Sequence, residues 1–126
     1  MHMRFTTVFI RDEDTAIDYY TNTLGFRLLA DNPTPMGTRF LMFDPPGGGA
    51  KLVLTRPFRE EDQPRVGGFT GIAWETDDLQ ATYERLTAKG VAFSEPPRQT
   101  PWGGLEAAFA DPDGNAYMLH QGRMVR

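Results

Sequence analysis

Apolar and polar positions along this chain alternate between two periods, and the switch from one to the other marks its elements. Thr6 to Ile10 reads Thr-Thr-Val-Phe-Ile, a β-branched and aromatic run that predicts a strand. Ala16, Tyr20 and Leu24 then recur at helical spacing and share one face. Asp12, Glu13 and Asp14 open that stretch, where carboxylates cap free backbone N–H groups and complement a helix dipole. Gly25 stands where a helix C-terminus needs a residue that tolerates positive φ. Phe26–Leu29, Arg39–Phe43 and Lys51–Thr55 predict three further strands. A loop at Asn32-Pro33-Thr34-Pro35 with Gly37, and a turn from Asp44 to Gly49, separate them.

The same order then recurs. Phe69–Trp74 predicts a strand, with cap candidates at Thr76, Asp77 and Asp78. Leu79, Tyr83 and Leu86 mark a helical face that Gly90 ends. Val91–Phe93 predicts a strand stopped by Pro96-Pro97, and Pro101-Trp102-Gly103-Gly104 a loop. Leu105–Ala110 and Ala116–Gln121 are strands on either side of Asp111-Pro112-Asp113-Gly114-Asn115, a dense turn signal. The tail to Arg126 is expected to be loose. A shift of 66 residues carries Asp12 onto Asp78, Ile17 onto Tyr83 and Tyr20 onto Leu86. The reading is an α+β chain built as βαβββ, linker, βαβββ. Its modules run from about 4 to 55 and about 69 to 121, its linker from about 56 to 68, and all 126 residues form one domain.

Composition narrows the chemistry. The chain has no cysteine, so disulfides, zinc fingers, iron–sulfur clusters and thiol catalysis are excluded. Thirteen basic against seventeen acidic residues give a net charge of −4, whereas nucleic-acid binding wants a basic face. Arg56, Arg59 and Arg65 form a loose basic cluster, but Glu60, Glu61 and Asp62 interrupt it, and the stretch reads as a solvated linker. The acidic balance favours neutral or cationic small molecules. No apolar run is long enough to span a bilayer, and Met-His-Met-Arg-Phe-Thr-Thr has no apolar core of a secretory signal. A cytoplasmic protein without nucleic-acid or membrane partners is expected.

Asp12-x-x-x-Ala16-Ile17-x-x-Tyr20-x-x-x-Leu24-Gly25-Phe26 resembles the first helix of the vicinal oxygen chelate superfamily, which holds glyoxalase I, bleomycin-resistance proteins and extradiol dioxygenases. Asp77-Asp78-Leu79, Gly90-Val91, Pro101-Trp102-Gly103 and Asp111-Pro112-Asp113-Gly114-Asn115 resemble its second module, so the likeness covers nearly the whole chain. The resemblance implies curved mixed sheets enclosing a ligand cavity, often across a homodimer. It also implies four metal-ligand positions, one opening each module and one on each module's last strand. Carried over, these fall on Phe5, Leu52 (with Lys51 as the register neighbour), Gly71 and Met118. None is a good ligand for a hard or borderline divalent ion, which wants carboxylate oxygen or imidazole nitrogen. No metal and no cofactor is therefore expected.

Other residues carry candidate chemistry. His120 alternates with Ala116 and Met118 on one strand face and reads as a general base, a ligand hydrogen-bond donor or a satisfied structural histidine. Glu75 and Glu106 are the acids available to join it in a displaced metal site, or else strand-end surface charges. Trp102 is either a lid on an apolar pocket or a plug at a sheet edge. Trp74 falls on the alternate face and reads as core. Phe5, Thr7 and Phe9 share a face, while Arg39 opens a strand as an anion contact or an exposed charge. No G-x-S-x-G elbow and no phosphate loop occur. The expected ligand-binding residues are Phe5, Thr7, Trp102, Met118 and His120, with no catalytic residue. The expected function is metal-free capture of a small molecule, aromatic or cationic, in the manner of bleomycin-resistance proteins. The alternative is a lyase, isomerase or dioxygenase of the same fold, using a relocated metal or acid–base chemistry through His120.

Overall fold

The computed structural model describes residues 1–122. The tail beyond, expected to be loose, lies outside the described residues. The chain forms two compact units, Met1–Gly67 and the residues from Gly68 onward. Each contains one four-stranded mixed sheet, and the two sheets share a strand order.

In the first unit, β1 (Phe5–Phe9), α1 (Glu13–Asp18), β2 (Arg27–Pro33), β3 (Arg39–Asp44) and β4 (Lys51–Thr55) follow in sequence, and the sheet runs β1-β4-β3-β2. β1 lies parallel to β4, and the other pairs are antiparallel. Asp12 caps α1: its carboxylate accepts the Thr15 N–H at 2.8 Å. The helix then widens into a π turn over Tyr19–Thr23, where the Leu24 N–H reaches the Tyr19 carbonyl at 3.0 Å. The expected apolar face is intact, with Ala16, Tyr20 and Leu24 all buried. Tyr20 packs on Phe26 and Phe43, with ring centroids 5.7 Å apart in both pairs. Gly25 follows at φ 79°, as its place after a helix requires.

In the second unit, β5 (Gly68–Glu75), α2 (Leu79–Ala88), β6 (Ala92–Gln99), β7 (Leu105–Ala110) and β8 (Asn115–Gln121) repeat the plan, with sheet order β5-β8-β7-β6. Asp78 caps α2 through the Ala81 N–H at 3.0 Å. Under the helix runs a chain of rings. Trp74 lies 5.6 Å from Tyr117, Tyr117 lies 5.5 Å from Phe109, Phe109 lies 5.5 Å from Phe93, and Phe93 lies 4.7 Å from Tyr83. Trp74 thus lies on the helix side of its sheet. The Asp111–Asn115 turn closes as its composition demands: the Asp111 carboxylate accepts the N–H groups of Asp113 and Asn115, each at 2.9 Å, and Gly114 stands at φ 82°.

Three local expectations change. β2 runs on through Asn32 and Pro33, and β6 through Pro96 and Pro97. Both are edge strands, where a missing N–H breaks no ladder, and in β6 the prolines fall within a register shift between Glu95 and Arg98. The stretch read as a solvated linker holds a 3₁₀ turn over Glu60–Arg65. Its charges are engaged: Arg59 pairs with Glu61 and Asp62, each at 3.0 Å, and the Arg65 guanidinium lies 5.0 Å above the Phe9 ring.

Candidate ligand-binding faces

In each unit one sheet face packs under the helix, and the other carries the candidate residues. Strand pairing assigns the faces. In the first unit Thr6, Leu52 and Phe43 lie in one cross-strand row, and Phe43 meets Tyr20 from the helix side. Leu52 is fully buried there. The carried-over ligand position at Leu52 is therefore corrected: Lys51 and Val53 are the β4 residues that share a face with Phe5 and Thr7. Phe40 and Met42 on β3 join that face, since Met42 pairs with Val53 and the Phe40 ring meets Phe5 edge-on at 6.4 Å. Phe5 is 41% exposed.

The cation on this face is already paired. Lys51 Nζ lies 2.8 Å from Asp44, and Arg27 reaches the other Asp44 oxygen at 3.0 Å. Lys51 first, then Arg27, holds the Asp44 carboxyl below its ordinary range. Arg39 is equally occupied. It donates to Asp31 at 2.7 and 3.0 Å and to Asp14 at 2.9 Å, and these carboxylates, Asp31 foremost, push its pKa further up. An anion would have to displace them.

In the second unit Ala73, Met118 and Ala108 form one row. The next row along the same face takes one residue from each strand: Glu75, His120, Glu106 and Arg98. Arg98 Nη2 donates to Glu106 Oε1 at 2.5 Å. His120 Nδ1 stands 3.9 Å from Glu106 Oε2, beyond hydrogen-bond reach, with its side chain 12% exposed. Trp102 occupies the tip of the β6–β7 hairpin, where the Gly103 N–H reaches the Thr100 carbonyl at 3.2 Å and the Gly104 N–H the Thr100 hydroxyl at 2.9 Å. It is 36% exposed, four residues from Glu106 and thus toward the His120 end of the sheet. The expected residues therefore form two groups, Phe5 with Thr7 on one sheet and Met118 with His120 on the other. Sequence reading missed Phe40, Met42, Ala73, Ala108 and Arg98, because only cross-strand register brings them to these faces.

The donor set does not fit the superfamily's metal. Phe5 and Met118 offer a ring and a thioether; of the β4 residues on the Phe5 face Val53 is aliphatic and Lys51 is a cation held by Asp44. Gly71 lies within a β-bulge between Phe69 and Ala73 at φ 76°, a conformation in which any L side chain is strained. The Thr70 hydroxyl secures the bulge, donating to the Ala116 carbonyl at 2.8 Å and accepting the Ile72 N–H at 3.1 Å. A displaced site at Glu75, Glu106 and His120 does not form either: among the described residues no group of three acidic or histidine side chains is placed to hold a metal ion.

The chain matches, over residues 2–119, the family model described as Glyoxalase/Bleomycin resistance protein/Dioxygenase superfamily. A member of that superfamily from Sphaerobacter thermophilus is 38% identical, covers 97% of this chain and 98% of its own, and superposes with a TM-score of 0.87. TnmS3, an antibiotic binding protein from Streptomyces sp. CB03234, is also 38% identical, over 98% of this chain and 97% of its own, with a TM-score of 0.82. A probable lactoylglutathione lyase of Vibrio cholerae is 29% identical over 95% of this chain and 90% of its own length.

Proposed function

Because the chain belongs to the glyoxalase/bleomycin resistance protein/dioxygenase superfamily, we propose that it captures a small molecule without a metal and without turning it over. One observation carries this reading: the family's metal positions fall here on a phenyl ring, a lysine paired with Asp44 or its valine neighbour on β4, a strained glycine and a thioether. Without a Lewis acid, the lyase, epimerase and ring-cleavage chemistries of the superfamily have no electrophile. The likeness to an antibiotic binding protein along the whole chain supports capture. Phe5, Thr7, Met118, His120 and Trp102 supply the apolar contact and the few orienting polar groups that such binding needs. We infer a homodimer, the assembly across which members of this superfamily often enclose a ligand cavity.

The test is native mass spectrometry of the purified protein with bleomycin and with a panel of aromatic cations, beside elemental analysis. A ligand retained at its original mass, with no stoichiometric Zn, Ni, Mn or Fe, is expected. About one such ion per chain, or a ligand chemically altered, would overturn the reading.

A further inference from the structure

The polar row of the second sheet has an uneven charge pattern. Glu106 is neutralised by Arg98 at 2.5 Å, and Arg98 also reaches Glu95 at 3.4 Å. Glu75, at the other end of the row on β5, is exposed and makes no ion pair or hydrogen bond among the described residues. Its cross-strand neighbour is His120, whose ring is mostly buried. One uncompensated carboxylate therefore stands beside an imidazole, while the second carboxylate of the row is already matched.

The adjacent row is of the opposite character. Ala73, Met118 and Ala108 are small or flexible apolar groups. Next to them Gly71 carries no side chain, and nothing lies within 4 Å of where its Cβ would be. Rows two residues apart on a strand are separated by roughly 7 Å. A flat apolar body on the alanine–methionine row thus has a carboxylate and an imidazole about one ring's width from its centre.

We propose that Glu75, flanked by His120, is the cation subsite of this face, taking the protonated amine of a planar ligand whose ring system lies over Ala73, Met118 and Ala108. This rests on the capture reading and adds the charge of the ligand and the residue that recognises it. Glu106 is a positioning residue: with Arg98 it braces β6 against β7 and closes the far side of His120.

Fluorescence titration with 9-aminoacridine, protonated at neutral pH, and acridone, its neutral relative, tests the assignment. A charge-assisted hydrogen bond favours the cation about tenfold. Wild type should show that preference. Glu75→Gln should abolish most of it, leaving acridone affinity and the melting temperature unchanged, since the side chain is exposed. Glu84→Gln removes the same charge from the exposed face of α2 and should leave the preference intact, separating local recognition from net charge. Equal binding of the two probes by wild type, a preference that survives Glu75→Gln, or one lost equally in Glu84→Gln overturns the subsite while capture stands. Failure of both probes to bind wild type overturns the subsite and counts against capture of planar ligands as well.

Discussion

Glu13 and Arg56, 43 residues apart, are joined by a 2.7 Å bond from Nε to Oε2. The Glu13 side chain is 8% exposed and also accepts the Arg39 backbone N–H at 3.2 Å, while Arg56 Nη2 donates to the Gly37 carbonyl at 3.0 Å. One buried carboxylate thus ties the first turn of α1 to the start of β3 and to the segment leaving β4. Arg56→Met should leave that carboxylate short of a partner and cost about 1–3 kcal/mol in urea unfolding. Glu13→Gln with Arg56→Met should cost less than the sum of the single changes. Strict additivity would show that the pair is not coupled.

Gly71→Ala probes the bulge in β5. Nothing within 4 Å would meet the added Cβ, so the loss should be purely backbone strain at φ 76°, about 1–2 kcal/mol. A variant as stable as wild type would mean that the bulge relaxes freely, and the conformational objection to a ligand at this position would go.

Trp102 separates a binding role from a structural one. At a hairpin tip and 36% exposed, it should contribute little to folding. Trp102→Ala should weaken ligand binding by about 1–3 kcal/mol and barely move the melting temperature. A collapse of the melting temperature with affinity intact would make the ring a plug. Quenching on ligand binding should persist in Trp74→Phe, because Trp74 packs on Tyr117 beneath α2.

Acid should lower the stability of the first unit through identifiable carboxylates. Asp31 is held below the usual range by Arg39, Asp44 by Lys51 and then Arg27, and Asp62 by Arg59. Asp12 is held down by the Thr15 N–H and hydroxyl. A depressed folded pKa means that these groups stabilise above the unfolded value of about 4, and that the contribution is lost as pH falls below it. Asp31, Asp44 and Asp62 each keep some solvent exposure, so added salt should shrink the effect of these ion pairs. Urea midpoints that stay flat from pH 6 to pH 3 would contradict this.

Assembly is checked by light scattering at micromolar concentration. Twice the mass of one chain is expected, in keeping with the commonest two-fold symmetry. A single-chain mass throughout would argue against a dimeric ligand site.

The order of elements, the buried faces of both helices and the positive-φ glycines at 25 and 114 were legible in the residues alone. Each rests on local physics: the helical repeat, the cap carboxylate and the missing Cβ act within a few residues of themselves. The repeat of βαβββ was legible for the same reason, and the family was legible as a resemblance carried by motif residues of both modules, Asp12 to Phe26 and Asp111 to Asn115 among them. Register was not. Whether Leu52 or Val53 shares a face with Phe5 depends on a single step of β4 against β1, and one step turns every side chain over. The continuation of β6 through Pro96 and Pro97, the bulge at Gly71 and the row Glu75–His120–Glu106–Arg98 all arise from pairing with strands distant in sequence. The bond between Glu13 and Arg56 needed the first turn of α1 to meet the segment leaving β4. Tertiary structure decided these because backbone hydrogen bonds between strands carry no signature in any one strand's residues, and only the pairing itself selects which chemistry stands side by side.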